Sequence, residues 1–409
     1  MSDNISKILC FKIMATKLSY KCVEPHLRRL RYGGYYQIDP KSSKLKKRLH
    51  TIYMSFTYIW IVIYTLQQAM KVYEVRHDVD KIIGSLFLFL THTDSIYKQT
   101  VIWVKANQVE ELLDILRGPL FNQEETDNKK CLKDVARQSY LVLQVDNNLA
   151  LFTCFLWVLY PFVLHLEGKP VEFAIWLPFD INVDPTFYFT IFYVWFTTSW
   201  LALCNTSIDV MVSFFFAQSK TQLTIICTLY LIIIPNILFL SYTIEEHLLT
   251  GEPCTDIINK RFKKILQHHT QIIYFVNRVE NIFSTAMAYQ FLLSGWIICV
   301  SAYRMQNPGS VLFLSMVSYI CCLLIQLFIY CYYGNEVTVE SEKLTDSAYA
   351  MNWLETSLTH RRNLILFMER LKHPIHPLAG CVIPLSNNTF VSIVKSSYSF
   401  YALLKNTSE

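Results

Sequence analysis

Long apolar runs separated by short charged clusters set the pattern of the chain. Eight windows are long and apolar enough to fill a bilayer core, which takes about 20 residues per helix. They are 52–70, 82–104, 139–165, 187–216, 223–244, 283–303, 311–333 and 387–404. The second is interrupted by His92, Asp94 and Lys98, of which Asp94 and Lys98 stand four apart on one helical face and can pair. The last carries Ser392, Lys395, Ser396, Ser397, Tyr398, Ser399 and Tyr401. A lysine near a span centre costs about 2.5 to 3.5 kcal/mol on insertion scales, so this helix is expected to face water or the interior of a bundle.

Hydropathy alone does not decide whether 223–244 crosses, and the basic residues arbitrate, because cytoplasmic loops collect Lys and Arg. Residues 1–50 hold twelve of them, ending in KLKKR at 44–48, which places the N-terminus inside. The run from Ile8 to Ala15 is broken by Lys12 and no small-residue cleavage site follows, so no signal peptide is expected. Loop 105–138 carries six and loop 166–186 only Lys169; Lys220 and the cluster Lys260, Arg261, Lys263, Lys264, Arg278 flank the doubtful segment on both sides. Seven crossings, with 223–244 a non-crossing cytoplasmic helix, put twenty-nine basic residues inside and six outside. The expected fold is therefore all-α, a seven-transmembrane bundle of inverted topology, with the N-terminus cytoplasmic and the C-terminus extracellular. Its divisions are a cytoplasmic N-terminal segment (1–50), a six-helix bundle with a ligand pocket (51–333) that includes a cytoplasmic helical extension at about 217–270, a cytoplasmic anchor segment (334–381), and a last helix with a short outer tail (382–409). A G-protein-coupled receptor has the opposite orientation, and neither its acidic-Arg-aromatic triplet nor an NPxxY-like run is present.

Composition agrees with a lipid partner. Of 409 residues 53% are hydrophobic and 17% charged, against roughly 25% charged in soluble domains. Ten glycines leave little material for phosphate cradles, a net charge of +5 is too modest to suggest nucleic acid, and GxGxxG, GxxxxGK, HExxH and GxSxG are absent. No enzymatic activity and no cofactor are expected. The twelve cysteines form no CxxC pair and lie mostly in or beside apolar runs, where Cys acts as a small hydrophobe. His373 and His376 in KHPIHP are read as a solvated turn, and the adjacent His268 and His269 point in different directions on a helix, so no metal site is expected.

Aromatic stripes offer the candidate chemistry. Phe192, Trp195, Phe196 and Ser199 share one face of the fourth span, and Thr153, Trp157 and Tyr160 lie on the third. Such stripes serve helix packing or lipid contact, or line a cavity for small apolar molecules; spacing does not separate these. The expected liners are Phe87, Thr91, Trp157, Tyr160, Phe192, Phe196 and Trp296, all in predicted outer halves of spans. The loop LEGKPVEFAIWLPFDINVDP, with Trp176, Phe179 and Asp180, is either a connector or a lid over an outward-opening pocket. Leu344, Ala348 and Met351 recur at helical spacing, with Tyr349 one turn before Trp353, and predict a cytoplasmic helix packed on a neighbour. In the last span, Val394, Ser397, Tyr398, Tyr401, Leu404 and Lys405 follow the i, i+3, i+4, i+7 rule and define a candidate pore face.

The seven-span inverted pattern, WLPFD at 176–180, QLFIYCYYGNEVTVESEKLTDSAYAMNW at 326–353 and KSSYSFYALL at 395–404 resemble the insect odorant receptor family. The resemblance runs over most of the chain, with its specific motifs in the C-terminal third. The gustatory receptors share the topology, but their last helix carries a TYxxxxxQF-like run, and here Ser397-Tyr398 is followed by no Gln-Phe. The resemblance implies a subunit of a ligand-gated, nonselective cation channel in the plasma membrane of olfactory sensory neurons, assembled as a heterotetramer with a shared co-receptor. It also implies a pocket for a small volatile odorant in the outer half of the bundle, an intracellular anchor, and a last helix lining one central pore, with Tyr401 near its narrowest ring and Lys405 at the outer mouth. A gustatory-type channel, or a non-channel receptor or transporter, is the alternative. Ligand-evoked current without added nucleotide or G protein separates the classes.

Overall fold

The computed structural model describes residues 18–38, 42–122, 126–180, 183–233, 254–305, 311–350 and 358–408. Two short N-terminal helices, α1 (Leu18–Lys21) and α2 (Glu24–Tyr32), precede α3 (Lys44–Glu74), α4 (Val79–Val104), the short α5 (Ala106–Arg117), α6 (Thr126–Leu166), α7 (Asp184–Ile233), α8 (Cys254–Tyr303), α9 (Val311–Ala350) and the short α10 (Leu358–Leu371). A two-stranded hairpin, β1 (Leu378–Ala379) and β2 (Ile383–Pro384), leads into α11 (Asn387–Ser408). Among the described residues seven helices are 22 residues or longer, α3, α4, α6, α7, α8, α9 and α11, and the fold is a seven-transmembrane helical one. Local chemistry starts several of them: the side chains of Ser43, Asp78 and Ser386 accept hydrogen bonds from the backbone N–H of Lys46, Lys81 and Thr389, respectively.

The outer surface of α3 shows why the bundle belongs in lipid. Ile52, Phe56, Ile59, Ile63, Leu66 and Met70 form a continuous exposed stripe, while Met54, Thr57, Ile61, Tyr64 and Gln68 face inward. A water-facing helix would reverse these faces. The central helix is α7: 83% of its most apolar window is buried within the protein, against 28% for α3 and for α6.

Both α7 and α8 are 50 residues long, about 75 Å at 1.5 Å per residue, and more than twice the roughly 30 Å hydrocarbon core. Each helix thus spans the bundle and continues well beyond it. Residues 223–233 are the last three turns of α7 and not a separate helix; 234–244 lie outside the described residues. Their apolar character has a protein partner: Leu223, Ile225, Ile226 and Cys227 are buried, and Thr224 donates to Glu340 of α9 at 3.0 Å. Likewise α9 runs unbroken from the bundle to Ala350, with Leu344 and Ala348 buried and Tyr349 exposed; Met351 and Trp353 lie outside the described residues.

Around these extensions the N-terminal segment is threaded by hydrogen bonds. His26 meets Ser139 at 2.8 Å, Ser139 donates to the carbonyl of Cys22 at 2.5 Å, and Gln218 donates to Ser19 at 2.8 Å. Gln222 donates to the carbonyl of Phe121 at 3.0 Å, and its amide oxygen meets His268 at 2.9 Å. Burial pushes His26 down to about 3 and His268 down to about 4, so both are neutral. The hairpin docks on α8, where Gly380 donates to the carbonyl of Ser284 at 2.9 Å and Leu378 to Glu280 at 2.6 Å. Its exit crosses α9 so closely that a Cβ on Gly334 would stand 2.3 Å from that of Leu385. Among the described cysteines none is in a disulfide; seven are buried, and Cys131, Cys321 and Cys381 are exposed.

Candidate ligand-binding site

Five helices, α4, α6, α7, α8 and α9, enclose a cavity at the centre of the bundle. Its volume is about 70 Å³, room for several waters. Helix direction gives it two unlike ends. Toward the 167–183 loop the wall is apolar, with Leu88, Trp157, Ile297 and Tyr319. One to two turns deeper along the same helices it becomes Asp94, Asn205, Gln290 and Gln326.

The deep end belongs to a buried polar knot. The ammonium of Lys98 lies 2.7 Å from Asp94, 2.6 Å from Asp209 and 3.1 Å from the Asn205 amide oxygen. Asp209 also accepts from Tyr330 at 3.0 Å and from Gln290 at 3.2 Å, and the Gln290 amide reaches Gln326 at 3.4 Å. Thr206 donates to Asn147 of α6 at 2.5 Å. A charge this deep is tolerated only when paired and hydrogen-bonded, and here four helices supply the partners of one lysine and one aspartate.

At the other end three rings close the cavity. Trp157 and Tyr319 meet edge to face at 5.0 Å between centroids, and Phe87 meets each of them at 5.8 and 5.7 Å. Thr91 hydrogen-bonds to the Tyr319 hydroxyl. Beyond the rings lies an outer cleft lined by Tyr64, Phe87, Trp157, Tyr160 and Arg304, whose guanidinium donates to the carbonyl of Gly84 at 3.2 Å. The loop after α6 covers it. Val171, Phe173 and Ile175 point inward, Glu172 pairs with Lys81 at 2.7 Å, and the backbone N–H of Trp176 donates to the carbonyl of Gln67 at 3.0 Å. This segment is a lid over the cleft; Trp176 is half-buried and Phe179 and Asp180 are exposed.

Of the seven expected liners, Thr91 and Trp157 reach the inner cavity, and Phe87, Tyr160 and again Trp157 line the outer cleft. Phe192 and Phe196 do not: they stack on each other at 6.1 Å on the outside of α7, 59% and 44% exposed. Tyr193, Val194 and Thr198 take the inward face instead, Tyr193 donating to Gln67 at 2.8 Å. Trp296 is 57% exposed and stacks on Phe400 of α11 at 5.8 Å. In α11 the expected face is split. Ser397 is buried against Gly295 of α8, Tyr398 is 70% exposed, and Val394 and Tyr401 are intermediate. The face turned to α8 is that of Ile393, Ser397 and Phe400, the last still 54% exposed, so Ser397 touches its own bundle rather than an open face. The side chains of Leu404 and Lys405 lie outside the described ones.

The sequence pattern of the 7tm odorant receptor family matches residues 78–398. The chain belongs to that family. Odorant receptor 94a of Drosophila melanogaster is 31% identical over 253 residues, 60% of this chain and 60% of that one; the matched stretch thus spans three fifths of that relative's length. Odorant receptor Or1 of Anopheles gambiae is 22% identical over 402 residues, 92% of this chain and 93% of the other. In structure, this odorant receptor superposes on the olfactory receptor OR5 of Machilis hrabei with a TM-score of 0.76 at 15% identity, over 93% of this chain and 97% of that one. With OR5 in complex with eugenol the TM-score is 0.77, over 94% and 97%.

Several residues of the cavity and of the polar knot behind it escape the sequence pattern of this odorant receptor. Asp209 is the partner Lys98 needs, and its signal was available: it stands alone as the acidic residue within the apolar window 187–216. Gln290, Gln326 and Asn205 are polar residues inside otherwise apolar spans, and no periodicity connects them.

Proposed function

We propose that this odorant receptor is the odorant-tuned subunit of a ligand-gated, nonselective cation channel, assembled with the family's co-receptor as a heterotetramer in the plasma membrane of olfactory sensory neurons. A small volatile molecule enters beneath the loop after α6, passes the Phe87–Trp157–Tyr319 rings and occupies the cavity. The observation that carries this reading is the cavity itself: central, enclosed by five helices, aromatic at its outer end, and one helix thickness from α11. Capture of eugenol by OR5, a protein of the same fold, supports it.

In this reading the N-terminus and the extensions of α7, α8 and α9 are cytoplasmic and form the anchor. The exposed side of α11, marked by Tyr398 and flanked by the half-buried Val394 and Tyr401, turns to the central pore. The test is voltage-clamp recording from cells that express the receptor with the co-receptor. Application of an odorant panel is expected to evoke cation current without added nucleotide or G protein. A complex present at the surface and silent to a broad panel overturns the reading.

A further inference from the structure

The donors of Lys98, Gln290 and Tyr330 in the polar knot are spent. An ammonium has three N–H bonds, and those of Lys98 go to Asp94, Asp209 and Asn205. The Gln290 amide N–H groups serve Asp209 and Gln326, and the Tyr330 hydroxyl serves Asp209. Acceptors are left over on the cavity wall. One carboxylate oxygen of Asp94, a residue 5% exposed, and the amide oxygen of Gln290, 3% exposed, are buried without a partner, and both residues line the deep end.

Charge points the same way. Two carboxylates, those of Asp94 and Asp209, share the single ammonium of Lys98. Among the fully buried side-chain atoms of the described cavity wall, the indole N–H of Trp157, at the opposite, aromatic end, is an unpartnered donor.

We propose that the cavity is built for a small ligand with an apolar body and a protonated amine head, the body against Trp157, Tyr319, Leu201 and Ile297 and the ammonium at the free oxygens of Asp94 and Gln290. This rests on the cavity being the odorant site and names the class of molecule it takes. An ammonium supplies both the missing donors and the missing positive charge; a hydroxyl supplies donors only, and an ether or alkane neither. Charge-assisted hydrogen bonds exceed neutral ones by about a factor of two in strength.

The test compares four compounds of equal heavy-atom count, n-hexylamine, n-hexanol, methyl pentyl ether and heptane, on the receptor–co-receptor complex. The amine is expected to have the lowest half-maximal concentration, at least tenfold below the ether, with the alcohol between. An alcohol, ether or alkane at the head of the series overturns the proposal, as does silence to all four from a complex that answers other odorants. In that last case the channel reading survives; silence to every odorant removes both. A second arm uses Asp94→Asn, which keeps an acceptor for Lys98 while lowering the charge. The amine-to-ether potency ratio is expected to collapse, and an unchanged ratio at matched surface level overturns the assignment to Asp94. If D94N fails to reach the surface, the wild-type series still decides.

Discussion

The ammonium of Lys98 lies 2.6 Å from the carboxylate of Asp209, so α4 and α7 are joined by an ion pair with almost no access to solvent. Removing the ammonium leaves the Asp94 and Asp209 carboxylates uncompensated, and removing the Asp209 charge leaves Lys98 with Asp94 alone; breaking a buried pair costs roughly 3–5 kcal/mol. Lys98→Met and Asp209→Asn are each expected to lower the thermal midpoint in detergent and to reduce surface level. The double substitution is expected to lose less than the sum of the two, because it removes a pair and not a partner. Additive losses measured by a fluorescence-detected melt would show that the pair does not couple.

Gly334 has a steric role. The absent Cβ leaves room for Leu385 at the exit of the hairpin, and Gly334→Ala is expected to destabilise by about 1–3 kcal/mol through overpacking. Because the conflict is with the Cβ of Leu385, Leu385→Ala should not rescue it. A melt of the single and double variants checks both statements, and full rescue by L385A would mean the contact lies further out on the side chain.

The two buried histidines of the N-terminal and α8 contacts make stability depend on pH. Their folded values, about 3 for His26 and about 4 for His268, lie below the ordinary 6.5, so the unfolded chain binds more protons in the interval between. Stability is full above about pH 6.5 and falls as pH drops toward 4. The midpoint in detergent should decrease between pH 7.5 and pH 5, and His268→Gln should flatten part of that slope.

Ligand selectivity should follow the inward faces. Trp157→Ala opens the wall shared by cavity and cleft and is expected to shift odorant potencies by tenfold or more and to change their order. Phe192→Ala and Phe196→Ala, on the outer surface of α7, are expected to leave the order intact. Dose-response curves at matched surface level distinguish the two groups.

Orientation is checked by epitope tags on intact cells. A tag after Glu409 is expected to be accessible without permeabilisation, and one inserted among Lys260–Lys264 only after it; the reverse pattern would invert the membrane assignment.

Spans and their count are legible from hydropathy and charge because the bilayer imposes one length and one polarity on every crossing helix. The Asp94–Lys98 pair is legible for a local reason, the four-residue spacing, whereas its third member, Asp209, sits 111 positions away from Lys98 and is joined to it only by tertiary packing. Phe192 and Phe196 illustrate the converse. A stripe repeats every turn whether it faces lipid or a cavity, and only the placement of neighbouring helices decides that Tyr193 and Thr198 turn inward. The stretch after Phe216 misleads because burial under another part of the same chain selects the same apolar residues as burial in hydrocarbon.

Along α8, successive residues serve opposite neighbours. Ser294 and Ile297 form part of the cavity wall, while between them Gly295 seats Ser397 and Trp296 stacks on Phe400. The two contacts are opposite flanks of one cylinder, about 10 Å across. A roll or shift of α8 at the cavity would therefore be carried to the face on which the terminal helix rests.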